Sequence, residues 1–210
     1  MADPKIDSII FDMDGTLWDA VDSYAAVWNR TLEECGTDRH VTREELLTLM
    51  GKPLPVISSV LLPEGIGVST EEFYRLLTGF ELEMIPVIGG KLYPQVESTL
   101  QYLSKKYRLF MASNCGINGL DNFLAYTGLT HFFRDTITYD HTGKGKDYNI
   151  TLLASRHALR HPVYVGDTEG DSRASAAAGV PFVWARYGFG ENVSRADYVI
   201  DKFSDLEKLF

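Results

Sequence analysis

The chain has 210 residues, of which 45% are hydrophobic and 23% charged, as in an ordinary globular protein. Its formal net charge of -9 argues against a general binder of nucleic acid or anionic membranes, because such a surface must be basic. The two cysteines, Cys35 and Cys115, have no metal-binding spacing and argue against a disulfide scaffold. No segment approaches the roughly 18 apolar residues of a membrane span, and no signal-peptide pattern is present. We therefore expect a cytoplasmic protein without a membrane or nucleic-acid partner.

The first predicted element is a strand at residues 6–11, and a mainly helical segment follows it. Helices are predicted over residues 19–35, 42–50, 54–62 and 70–85. Thr42, followed three residues later by Glu45, has the pattern of a capping box. No strand is predicted between residues 17 and 88, and the sequence IGGKLYP at 88–94 interrupts the helical pattern.

Strands and helices alternate in the rest of the chain. Helices are predicted at 94–107 (with Pro94 as the first helical residue), 118–126, 147–159, 170–178 and from Ser204, and strands at 108–113, 136–139, 162–166, 181–185 and 197–200. This alternation predicts an α/β fold with a Rossmann-like parallel sheet and helices on both faces. The first strand belongs to the same sheet. We therefore expect a discontinuous catalytic core of residues 1–16 and 89–210, with an inserted α-helical cap at 17–88.

Polar residues follow three of the predicted strands. Asp12 and Asp14 follow the first strand, Ser113 and Asn114 end the strand at 108–113, and Asp167 follows the strand at 162–166. The carboxyl ends of parallel strands share one edge of the sheet, where ligands bind, so these side chains should lie close together. Asp12 and Asp14 would raise each other's pKa. A divalent cation would offset that cost.

Four stretches in this order resemble the haloacid dehalogenase-like superfamily. They are FDMDGTL at 11–17, ASN at 112–114, a lysine within GKGKDYN at 143–149, and VGDTEGD at 165–171. The resemblance is to the phosphoglycolate phosphatase-like branch, which has a helical cap, and it covers nearly the whole chain. It implies a Mg²⁺-dependent phosphatase that hydrolyses a small phosphorylated metabolite through an aspartyl-phosphate.

The residue types support this chemistry. Asp12, fixed at the end of a strand, can attack phosphorus as a nucleophile. Asp14 can protonate the leaving oxygen and later activate water. Thr16, Ser113 and Asn114 offer hydroxyl, amide and backbone N–H groups to the phosphoryl oxygens.

The metal site implied by the resemblance uses oxygen ligands throughout, which suits Mg²⁺. Its ligands would be the carboxylates of Asp12 and Asp167 and the backbone carbonyl of Asp14. Asp171 would bind the ion through water or orient its neighbours. Either Lys144 or Lys146 could be the catalytic lysine. Lys146 is favoured because it lies closer to the start of the following helix.

Two further residues are candidates for substrate contact from the cap side. Lys52, in the sequence MGKP, and Trp18, beside the predicted hinge, could face the substrate, or they could be an exposed lysine and a core aromatic. Gly188 and Gly190 are interpreted as part of a turn and not of a nucleotide-binding loop.

Two alternatives to a phosphatase stay open. One is a phosphotransferase resembling β-phosphoglucomutase, and the other is a non-catalytic binding protein with the same fold. A dehalogenase is disfavoured, because Asp14 would have no leaving oxygen to protonate. The sequence specifies neither the phosphate ester nor the oligomeric state.

Overall fold

A computed structural model describes residues 6–210 of the chain. Its strands are β1 (Ser8–Phe11), β2 (Trp18–Asp19), β3 (Lys91–Leu92), β4 (Arg108–Ser113), β5 (Phe133–Thr138), β6 (Pro162–Gly166), β7 (Phe182–Ala185) and β8 (Tyr198–Ile200). Six of them form a parallel sheet in the order β5-β4-β1-β6-β7-β8. β1 lies between β4 and β6, and its four residues are all buried. The predicted α/β fold is confirmed.

Helices cover both faces of this sheet. They are α1 (Val21–Glu34), α2 (Arg43–Leu47), α3 (Leu54–Leu61), α4 (Thr70–Ile88), α5 (Val96–Leu103), α6 (Ile117–Thr127), α7 (Tyr139–Thr142), α8 (Lys146–Arg156), α9 (Glu169–Ala177) and α10 (Leu206–Leu209). Side chains alternate between the faces along each strand. In β1, Ile10 packs in the core cluster that includes α8, while Ile9 and Phe11 pack in the cluster that includes α5 and α10. Within residues 6–210, no helix has both the length and the apolarity that crossing a membrane requires.

The helical segment, α1 to α4, lies between β2 and β3 in the chain. α1 packs against α4, with the ring centroids of Trp28 and Phe73 5.4 Å apart. The predicted capping box is confirmed at the start of α2: Glu45 N–H donates to the Thr42 hydroxyl at 3.2 Å, and Thr42 N–H donates to the Glu45 carboxylate at 3.0 Å.

Three local predictions are wrong. β2 lies where no strand was expected and pairs with β3 in an antiparallel ribbon, which is too short to show an alternating pattern. α5 begins at Val96 and not at Pro94, because Gln95 adopts a left-handed conformation with φ of 65° and separates the two. β5 begins at Phe133, three residues before the predicted start, and is followed by the unpredicted helix α7.

Candidate active site

Asp12 and Asp14 lie on a tight turn that follows β1. Asp12 is buried, and its N–H donates to the carbonyl of Val165 on β6 at 2.9 Å. Gly15 has a φ of 79°, and a Cβ atom at this position would collide with the Asp167 carboxylate, so the turn requires glycine. Both aspartates line the same cavity.

The structure brings Lys146 to Asp12. The Lys146 ammonium, at the start of α8, lies 2.8 Å from Asp12 Oδ2 and 2.5 Å from Asp171 Oδ1. Burial disfavours its charge, but the two carboxylates outweigh burial and raise the pKa of Lys146 above its usual value. Lys144 is exposed to solvent. Of the two lysines that the sequence left open, only Lys146 contacts the proposed nucleophile.

Both carboxylate oxygens of Asp171 are engaged by the protein. Oδ1 accepts from Lys146 and, at 3.3 Å, from the Tyr164 hydroxyl. Oδ2 accepts from the N–H of Asp167 at 3.2 Å and from the N–H and hydroxyl of Thr168 at 2.9 and 2.7 Å. Burial would raise the pKa of Asp171, yet Lys146 and these bonds lower it. Of the two roles left open, this arrangement favours the one that orients its neighbours.

Carboxylate oxygens of Asp12, Asp167 and Asp171 lie within 4.8 Å of one another. Asp12 Oδ1 is buried and has no hydrogen-bond partner. Burial and the neighbouring charges of Asp171 and Asp12 raise the pKa of Asp167 well above its usual range. A hard divalent cation fits this site. It would bind the unpartnered Asp12 Oδ1 and would reduce the repulsion between the carboxylates.

Asp12 and Asp14 have pKa values that differ. Burial raises the pKa of Asp12 to about 6, with Lys146 opposing the rise. Burial and the charge of Asp12 raise the pKa of Asp14 to about 8. A hydrogen bond from the Trp18 indole N–H to Asp14 Oδ1, at 2.9 Å, lowers this pKa but does not outweigh them. At neutral pH these values favour an ionised Asp12 and a protonated Asp14, as a nucleophile and a general acid require.

The predicted substrate-contact residues have different surroundings. Trp18 is a fully buried aromatic that packs against Phe123 and contacts Asp14. Thr16 is buried, and its hydroxyl donates to Asp167 Oδ1 at 3.3 Å. Lys52 is exposed and lines the cavity.

Ser113 and Asn114 line the same cavity from the end of β4. Ser113 is buried, and its hydroxyl oxygen accepts from the Cys115 N–H at 3.5 Å. The Asn114 side-chain amide donates to the carbonyl of Gly51 at 2.9 Å, while its Oδ1 is buried without a partner. Asn114 therefore links the sheet to the loop before α3 and keeps one acceptor available.

The segment after β7, interpreted from sequence as a turn, also contacts the site. Phe189 N–H donates to Asp167 Oδ2 at 2.8 Å, and the Tyr187 hydroxyl donates to the carbonyl of Thr16 at 2.7 Å. A Cβ atom at Gly188 would collide with the carbonyl of Gly15 and with Asp167. The sequence did not predict this contact, because Gly188 and Gly190 indicate only a turn. Their proximity to Asp167 depends on the fold.

Comparison with known proteins identifies the family, because the model of haloacid dehalogenase-like hydrolases matches residues 9–185. The chain belongs to the haloacid dehalogenase-like hydrolases. It is 30% identical to a phosphoglycolate phosphatase of Aliivibrio fischeri, over 94% of this chain and 93% of the relative. It is 28% identical to one of Aquifex aeolicus, over 96% of this chain and 95% of the relative. The resemblance deduced from the four motifs is confirmed.

Solved structures have the same fold. A protein of Haemophilus somnus described as a predicted phosphoglycolate phosphatase superposes with a TM-score of 0.86 at 23% identity, covering 97% of both chains. CbbY from Rhodobacter sphaeroides, in complex with phosphate, superposes with a TM-score of 0.83 at 18% identity, covering 96% of both chains. At these identities the similarity demonstrates the fold alone.

Proposed function

We propose that the protein is a phosphatase that hydrolyses small phosphate monoesters through an aspartyl-phosphate on Asp12, with Mg²⁺ as its metal. The observation that carries the proposal is the environment of Asp12, where one buried oxygen is bound by Lys146 and the other has no partner. The named phosphatases among the relatives favour water as the final acceptor over a sugar hydroxyl. The filled set of motif positions disfavours a non-catalytic role.

In the first step, an oxygen of Asp12 forms a bond to phosphorus while the bond to the leaving oxygen breaks. Asp14 gives its proton to that oxygen, so the product leaves as a neutral alcohol. Lys146 neutralises charge between Asp12 and the phosphoryl group, and Ser113 and Asn114 bind phosphoryl oxygens.

In the second step, Asp14 has lost its proton and can take one from water. That water attacks phosphorus, the bond to Asp12 breaks, and inorganic phosphate is released with Asp12 regenerated. The carboxylates of Asp12 and Asp167 and the carbonyl of Asp14 would hold Mg²⁺. The ion would supply positive charge to the phosphoryl oxygens in both steps. Asp171 would keep Lys146 in position for them.

We propose that the helical segment acts as a cap over the reacting groups. Residues 17–88 would form the cap over a core of 1–16 and 89–210, of which residues 1–5 lie outside the described part of the chain. Leu46, Met50 and Leu54 line the same cavity as Asp12, which supports a cap that excludes water and selects the substrate.

The test is hydrolysis of p-nitrophenyl phosphate by the full chain, with added Mg²⁺ and after chelation. Asp12→Asn keeps the side-chain shape but removes the nucleophile, so we expect a loss of at least about 1000-fold. Asp121→Asn, at an exposed aspartate on α6, is the control and should keep wild-type activity. Asp12→Asn activity above about a tenth of wild type, or full wild-type activity in excess chelator, would contradict the proposal.

A further inference from the structure

A cavity of about 120 Å³ lies between the carboxyl edge of the sheet and the helical segment. At the sheet edge it is lined by Asp12, Asp14, Ser113 and Asn114, the residues proposed to hold the phosphoryl group. The rest of the cavity must therefore receive the leaving group. Its volume suits a group of a few carbon atoms.

The helical segment supplies an apolar wall to this cavity. The wall consists of Trp28, Leu46, Met50, Leu54 and Ile57. Within residues 6–210, Lys52 is the only basic residue that lines the cavity, and Lys52 is exposed to solvent. The loop that carries it contacts the phosphoryl end, because Asn114 donates to the carbonyl of Gly51. The five residues of the wall carry no charge, so among residues 6–210 an anionic leaving group would find only the solvent-exposed Lys52 as a cation.

Glu81, on α4, places a carboxyl group in the cavity. It is partly buried, and among residues 6–210 no protein group donates a hydrogen bond to its carboxylate. Asp140, at the start of α7, lines the same cavity. Burial, together with the charge of Asp140, raises the pKa of Glu81 to about 7. A second carboxylate nearby makes any further anion unfavourable here.

Other polar groups in this cavity also have no protein partner. Within residues 6–210, the buried oxygens Asp12 Oδ1, Ser58 Oγ and Asn114 Oδ1 make no hydrogen bond, while the Tyr24 hydroxyl interacts with Asp14. All of these residues except Ser58 line the cavity. The Tyr24 hydroxyl keeps its proton, because burial and the charge of Asp14 raise its pKa well above the usual value. A polar ligand would satisfy these atoms.

We propose that the leaving group combines a short carbon chain with a hydroxyl or ammonium group directed at Glu81, and that it carries no second anionic group. This inference rests on the proposed phosphatase function. The carbon chain packs against the apolar wall, and the terminal donor binds the Glu81 carboxylate. A terminal carboxylate would face both Glu81 and Asp140, which discriminates against it by repulsion. Phosphoglycolate should accordingly be a poor substrate of this protein.

The test compares kcat/KM of the full chain, with Mg²⁺, for three two-carbon esters. They are 2-hydroxyethyl phosphate, 2-aminoethyl phosphate and phosphoglycolate, which differ only in the terminal group. We expect at least one of the first two to exceed phosphoglycolate by about tenfold or more, and the faster of them identifies the donor. A preference for phosphoglycolate would overturn the inference.

Glu81→Gln removes the charge at nearly constant shape, with Glu83→Gln, exposed on the same helix, as the matched control. In Glu81→Gln, the ratio of kcat/KM for the preferred ester to kcat/KM for phosphoglycolate should fall by about tenfold. In Glu83→Gln this ratio should stay unchanged. Equal changes for all three esters in Glu81→Gln would overturn the inference, even with p-nitrophenyl phosphate still hydrolysed. Absence of hydrolysis of every ester, p-nitrophenyl phosphate included, would instead contradict the phosphatase function on which the inference rests.

Discussion

The two carboxylate oxygens of Asp12 have different surroundings. Oδ2 accepts a hydrogen bond from Lys146 at 2.8 Å, and Oδ1 is buried without a partner. Lys146 also binds Asp171, so one ammonium pairs with two buried carboxylates. Attraction between charges is strong where water is excluded, and so is the cost of leaving one of them unpaired. Lys146 should therefore contribute to both stability and activity.

Replacing Lys146 by methionine tests both contributions. Lys146→Met leaves Asp12 and Asp171 buried without their cation, so we expect a loss of activity of at least about 100-fold and a loss of about 3 kcal/mol in the free energy of unfolding. Lys144→Met, at an exposed lysine two residues away, should match wild type in both. Steady-state kinetics and denaturant unfolding are the measurements. Equal effects of the two substitutions would show that Lys146 has no special role.

At the level of elements, the segment after β7 helps to hold the carboxylate that follows β6. Phe189 N–H donates to Asp167, and the absence of a side chain at Gly188 allows the two loops to approach this closely. Orientation of a metal ligand by such a bond affects metal affinity as well as rate. The segment therefore positions Asp167 without contacting the substrate.

Gly188→Ala should push this segment away from Asp167. We expect the Mg²⁺ concentration for half-maximal activity to rise about tenfold and the free energy of unfolding to fall by about 1–3 kcal/mol, as overpacking typically costs. Gly67→Ala, where a Cβ would meet no atom within 4 Å, is the control. The measurements are a metal titration of activity and denaturant unfolding. An unchanged Mg²⁺ requirement in Gly188→Ala would show that the segment does not position Asp167.

The sequence predicted those elements best whose limits have strong local causes. β4 and β6 have the predicted limits, because each is an apolar run between polar or turn-forming residues. The ribbon of β2 and β3 was missed because two residues cannot show a period of two. The contact of Phe189 with Asp167 joins residues 22 positions apart, so no local pattern could reveal it. For the two lysines, the sequence favoured Lys146 only by its place beside the helix, and the fold adds its contact with Asp12.

At the scale of the whole molecule, two parts of the chain face one cavity. The sheet edge contributes the carboxyl groups of Asp12 and Asp14, and the helical segment contributes an apolar wall with Glu81. In the proposed function the first part performs a reaction common to many esters, and the second selects among them. In this mechanism the phosphoryl group is transferred to Asp12 before it reaches water.

Trapping the phosphorylated intermediate shows whether Asp12 receives the phosphoryl group. Asp14→Asn removes the base for the second step, whereas nitrophenolate leaves in the first step with little need for a proton. Mixing this variant with p-nitrophenyl phosphate should release about one nitrophenolate per active site in a burst, followed by slow turnover. Borohydride added after the burst should reduce the acyl phosphate, and peptide mass spectrometry should then find homoserine at position 12. A burst without modification at position 12, or the absence of any burst, would contradict an aspartyl-phosphate on Asp12.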